Sequence, residues 1–171
     1  MRLKSDVVRP MGFSVKRTVI RFIMEGVLGR LMQDVNTWLY RISGGKVGAH
    51  LLGAPILLLT TVGRKSGLPR TVPLVYFDGG EVLVIVASKG GAPQHPLWYR
   101  NLVATPQVQV EVRGKRKEMV AATATPEQRK VYWPRVVDVW ADYEKYQSWT
   151  DREIPLVLLT ESAQGSATAS A

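Results

Sequence analysis

Gln107-Val-Gln-Val-Glu-Val-Arg113 alternates polar and apolar residues without a break. Successive side chains of a strand point to opposite faces, so a segment like this belongs in a sheet with one face buried and the other wet. Gly114-Lys115 then marks a turn, and Arg116–Thr123 returns as a partner strand. The same grammar recurs along the chain. Pro55–Val62, Arg70–Phe77 and Glu81–Ala87 are short β-rich apolar runs, and Asp78-Gly79-Gly80 supplies a hairpin turn between the last two. Ile154–Thr160 is a final apolar strand. Strands this short, joined by hairpins, predict a largely antiparallel barrel or sandwich.

Short helices interrupt the strands, which makes the class α+β. Leu97–Ala104 starts behind Pro96 and stops at Thr105-Pro106. Thr125-Pro126-Glu127-Gln128 opens another helix, with Thr125 as N-cap, Pro126 at the first position and Gln128 closing a capping box. Pro134 is expected to sharpen or break it. Nearer the N-terminus, Val19, Ile20, Ile23, Val27, Leu31, Val35, Trp38 and Ile42 fall at helical spacing, opposite Arg17, Arg21 and Glu25. The expected organisation is a basic N-terminal extension with an amphipathic helix (1–50), a barrel domain (51–161) and a disordered tail (162–171).

Charge is distributed unevenly. Residues 1–70 hold twelve Lys/Arg against three Asp/Glu, and residues 71–171 hold eleven of each. The surplus asks for an anionic partner at that end: a polyanionic cofactor, a membrane surface or a nucleic acid. No helix-turn-helix, zinc or RNA-binding signature accompanies it, so no nucleic acid is expected. The chain has no cysteine, which excludes thiolate chemistry. Its two histidines, His50 and His95, lack ligand spacing, and no metal is expected. Charges interrupt every apolar run before it reaches about 18 residues. The expected location is therefore cytoplasmic, with residues 14–42 offering peripheral contact with the inner face of the plasma membrane.

Four segments carry candidate chemistry. Gly63-Arg64-Lys65-Ser66-Gly67, with Arg70 beyond it, is either a solvated turn or an anion site in which glycines bring backbone N–H groups close to a ligand. Ala87-Ser88-Lys89-Gly90-Gly91 ends a strand with a hydroxyl and a cation. Leu97-Trp98-Tyr99-Arg100-Asn101 sets an aromatic pair beside polar groups that suit a planar ring. Trp140, Tyr143 and Tyr146 recur every third residue and read as a pocket wall.

Taken in this order, Leu58–Arg70, Ala87–Lys89, Leu97–Asn101 and Tyr146–Arg152 resemble the deazaflavin-dependent nitroreductase family. The resemblance covers roughly residues 54–160, and four segments in register make it specific. It implies the split β-barrel, FMN-binding-like fold and coenzyme F420, an 8-hydroxy-5-deazaflavin whose tail carries phosphate and carboxylates. It implies that Arg64, Lys65, Ser66 and Arg70 hold the phosphate and tail. Thr71, Val72, Pro73, Leu74, Val75, Val86, Ala87, Ser88 and Lys89 would line the coenzyme. Leu97, Trp98, Tyr99, Arg100 and Asn101 would border it, and Tyr143 would sit near the ring. Members that reduce bulky nitro-compounds often carry tyrosines where this chain has Val75 and Trp140, and here it departs from their pattern.

The implied reaction is hydride transfer from reduced deazaflavin to a small apolar acceptor such as a quinone, enone or nitro-compound. Ser88, Tyr143, Tyr146 or water would then protonate the product. Two rivals remain. One is a split-barrel oxidoreductase using FMN, and the other is a non-catalytic coenzyme- or membrane-binding module. The sequence leaves the oligomeric state open.

Overall fold

The computed structural model describes residues 50–51 and 53–162. The helix expected at 14–42 and the tail from 163 onward lie outside the described residues. The strands are β1 (His50–Leu51), β2 (Ala54–Val62), β3 (Pro69–Asp78), β4 (Val82–Val86), β5 (Gln107–Val112), β6 (Lys115–Thr123) and β7 (Leu156–Glu161). Three helices interleave with them: α1 (Leu97–Ala104), α2 (Pro126–Val139) and α3 (Asp142–Ser148). All pairings are antiparallel, in the order β1-β2-β3-β4-β7-β6-β5, and an added β2–β5 pairing closes β2 to β7 into a six-stranded barrel.

The pleat sorts residues between two cores. Leu57, Leu59, Ile85, Val108, Val110, Val157 and Leu159 point inward, and α1 adds Trp98 and Leu102 to the same cluster. Val84, Val86, Leu156 and Leu158 point outward, where Val136 of α2 and Tyr143 of α3 cover them. Strands β4 and β7 are thus apolar on both faces, whereas β5 alternates, with Val108 and Val110 turned to the inner core and Gln107, Gln109 and Glu111 on the other face.

Local chemistry agrees with most of the expected elements. The Thr125 hydroxyl accepts from the Gln128 N–H at 3.3 Å, and the Thr125 N–H donates to Gln128 Oε1 at 2.9 Å, which completes the capping box. The β5–β6 turn falls one residue earlier than expected, on Arg113 and Gly114, with φ of 48° and 77° as a two-residue hairpin requires.

Pro134 does not break α2, which continues to Val139. The proline is exposed, so the carbonyl that loses its partner meets water. Tyr132 and Trp133 before it, and Val136, Val137 and Trp140 after it, all pack on the outer core. Packing on both sides of one lost hydrogen bond outweighs the breaker.

Candidate functional site

The barrel is not evenly zipped. Tyr76, Phe77 and Asp78 of β3 pair with Ile85, Val84 and Leu83 of β4, and the ladder stops there. From Pro69 to Val75, β3 pairs with β2, and no described strand lies on its other side. Continued register would set Pro73 opposite Ser88, and a proline has no N–H to give. Meanwhile β4 stays with β7, because the Ala87 N–H donates to the Pro155 carbonyl at 2.9 Å. The chain then leaves the sheet through a 3₁₀ turn, Lys89–Gly91, in which Lys89 has a φ of 48°. The two strands part and leave a wedge.

The lips of this wedge hold many of the expected site residues. Val72 and Leu74 lean on the inner core, as does Ala87 across the gap. Thr71, Pro73 and Val75 take the opposite face of β3 by alternation, and Val86 joins the outer core. Thr71 is pinned by a 2.8 Å hydroxyl–hydroxyl bond to Thr60. Ser88 and Lys89 are half-buried at the lip.

The basic loop stands at the β3 end, but it is not the backbone cradle its glycines suggest. The Gly63 N–H donates to the Leu68 carbonyl, and those of Ser66 and Gly67 to the Gly63 carbonyl, at 2.7–3.1 Å. The Arg64 N–H donates to Asn101 Oδ1 at 3.2 Å, and the Leu68 N–H to the Ser66 hydroxyl at 3.4 Å. Four of the five N–H groups from Gly63 to Gly67 are thus engaged, so the loop's offer to an anion is chiefly side-chain charge. Arg64, Lys65 and Arg70 are exposed, and among the described residues no carboxylate pairs with any of them.

Helix periodicity divides the Leu97–Asn101 segment. Trp98 turns into the inner core, while Leu97 and Arg100 face outward. Asn101 is buried; its amide donates to the Thr61 hydroxyl at 3.2 Å while its carbonyl holds the Arg64 N–H. It therefore moors the basic loop to α1. The Tyr99 ring lies edge-on to Trp98, and its hydroxyl bonds Thr123 at 3.0 Å.

The aromatic trio is packing rather than open wall. Tyr143 is buried in the outer core, with Trp140 and Tyr146 half-buried against it. Desolvation, with Tyr146 beside it, pushes the Tyr143 hydroxyl well above the usual phenol range. The spacing that placed these rings on one side was right, but that side faces the apolar outer surface of β4 and β7.

Arg152, between α3 and β7, is a residue whose part composition conceals. Its Nη2 donates to the Ser88 carbonyl at 2.8 Å and the Ala87 carbonyl at 3.2 Å, and its Nε to the Ala92 carbonyl at 2.8 Å. Nη1 lies 3.2 Å from His95 Nδ1. Burial, then the charges of Arg152 and Arg100, hold His95 below the usual imidazole range, so the ring accepts this bond as a neutral base. In sequence, Arg152 closes the resembling segment Tyr146–Arg152, which implies no role for it.

This geometry can seat a planar, partly apolar ring between the lips and an anionic group at the basic end. Comparison with known proteins gives the family. The family described as F420H(2)-dependent quinone reductase matches residues 32–161. An F420H(2)-dependent quinone reductase of Mycobacterium tuberculosis is 43% identical over 141 residues, which cover 80% of this chain and 95% of that protein. A solved F420-H2 dependent reductase is 40% identical, with a TM-score of 0.58 over 61% of this chain and 93% of that one. A solved chain described as a domain-swapped dimer is 39% identical, with a TM-score of 0.60 over 73% of this chain and 96% of that one. By these matches the chain belongs to the F420H(2)-dependent quinone reductase family.

Proposed function

We propose that this chain binds F420 in the wedge and reduces quinone-type acceptors with it. The observation that carries the reading is the cluster Arg64, Lys65 and Arg70, which has no described carboxylate partner, beside a stretch of β3 that has no described strand on its other side and is flanked by apolar lips. Arg64, Lys65 and Arg70, with the Ser66 hydroxyl, would hold the phosphate and carboxylate tail. Val72 and Leu74 would flank the ring, backed by the buried Val86 and Ala87, with Ser88 and Lys89 at its edge. When bound in reduced form, F420 supplies a hydride, which limits the reaction to two-electron reduction.

The protein's own share is positioning and exclusion of water. Two-electron reduction of a quinone to a quinol needs one proton as well as the hydride. Ser88, half-buried on the lip, is the hydroxyl we take to supply it; Tyr146 is half-buried on α3, and Tyr143 is buried with its hydroxyl held well above the usual phenol range. Enones and nitro-compounds are further acceptors on this reading. The test is titration of the purified chain with F420 and with FMN, followed by oxidation of F420H2 with a soluble quinone. F420 binding on the order of micromolar, no FMN binding and quinone turnover are expected; FMN binding alone would overturn the assignment.

We also propose that residues 14–42 lie on anionic lipid, from which an apolar quinone would be drawn. The basic surplus before residue 70 and the amphipathic spacing support this. The full chain should co-sediment with vesicles of acidic phospholipid and stay in the supernatant with zwitterionic ones. Equal behaviour with both would remove the proposal, and with it the peripheral membrane location.

A further inference from the structure

The wedge needs its second lip to stay apart from β3, and β4 alone does not ensure that. In an extended strand successive carbonyls point to opposite sides. The Ala87 N–H faces β7, so the next carbonyl, that of Ser88, would point toward β3. Instead Ser88 is helical, at φ −70° and ψ −43°, and its carbonyl turns to the Arg152 guanidinium. The same planar group takes the Ala87 carbonyl before the turn, the Ala92 carbonyl after it and His95 beyond. One side chain thus ties both ends of the segment 87–95. All of these acceptors are neutral, and a fork of five N–H donors reaches them where three ammonium protons on a flexible stem do not.

We infer that Arg152 is a positioning residue for the coenzyme: it sets the course of Ala87–Lys89, and hence the width of the wedge, without lining the wedge itself. The inference rests on the functional reading above. Arg129 provides the contrast. It donates to the Ile154 carbonyl at 2.6 Å and to Gln147 at 3.2 Å, pairs with Glu153 at 3.4 Å and lies 4.1 Å over Trp133, so it too is a cross-tie, but one with no described bond to the segment 87–95.

The experiment compares Arg152→Lys with Arg129→Lys in the full chain by three readouts. Both should lower the melting temperature. Only Arg152→Lys should weaken F420 binding and raise KM for F420H2, by about tenfold or more, with KM for the quinone unchanged. In the coenzyme-free protein, only Arg152→Lys should speed deuterium exchange of the amides from Ala87 to Ala92, again by about tenfold. If exchange and F420 affinity match the parent, or if Arg129→Lys changes them equally, the inference is wrong. A parent that binds no F420 defeats the functional reading instead, and the exchange comparison still decides whether Arg152 holds the lip. Should Arg152→Lys not fold, His95→Phe removes one tie while keeping a ring against Tyr99. A rise of about threefold in F420 dissociation constant then supports the inference, and no change overturns it.

Discussion

Replacing Lys65 and Arg70 together by alanine is expected to weaken F420 binding about a hundredfold or more, while leaving the melting temperature within a degree or two of the parent. A charge-assisted hydrogen bond contributes about 1.5–3 kcal/mol, and each 1.4 kcal/mol is tenfold in affinity. Each single variant should therefore lose roughly ten- to hundredfold. The double variant should fall short of the product if both cations hold one phosphate, since neighbours sharing a partner are not additive. Stability should hardly move, because neither side chain has a described acidic partner to lose and both are exposed. The loss should shrink as salt rises, because exposed charges are screened. Fluorescence titration of F420 at low and physiological ionic strength measures it; parent-like binding by both single variants would place the anion elsewhere.

Gly91→Ala should be the most damaging single methyl in the described chain. Gly91 has a φ of 72°, and an added Cβ would lie 2.7 Å from the Tyr146 carbonyl oxygen and 3.2 Å from the Tyr146 Cα. Both are backbone atoms of α3, so either the helix or the 3₁₀ turn has to move. Left-handed backbone at a non-glycine residue costs about 1–3 kcal/mol, and the clash adds to it. A total of roughly 3 kcal/mol or more corresponds to a melting point lower by about 6–12 °C for a chain of this size. Gly90→Ala is the control, since Gly90 also has positive φ, at 59°, but open space around its missing Cβ. It should cost only the backbone term. Thermal melts of the two variants side by side give the answer: equal losses would mean that Gly91 does not press on α3.

Much of the fold is legible because alternation and turn chemistry are local. Gln107–Val112 reads as a strand from its own side chains, and Thr125 to Gln128 as a helix start from four residues. The wedge is not local. It arises because β3 is long and β4 short, and because Ser88 turns where register would carry it to Pro73, facts that emerge only once the strands are paired. Likewise the every-third-residue spacing of Trp140, Tyr143 and Tyr146 specifies a side but not what that side touches. The resemblance sets Asn101 among the coenzyme-bordering residues. Its mooring of Arg64 depends on a contact 37 residues away in sequence. Arg152 closes a resembling segment, but its part is not legible there, because four of its contacts are to carbonyls or a ring nitrogen 57 to 65 residues earlier.

The prolines of β3 have a second consequence. A strand with an unoccupied side is a template on which another polypeptide can add, and that is a common route to unwanted polymers. Among the described strands the open template is Pro69–Val75, the stretch that must stay clear if a ligand is to enter. Pro69 and Pro73 remove donors from it, and Arg70 puts a charge in the path of an incoming chain. Between turnovers the cleft can therefore stand open without inviting a neighbour to zip onto it.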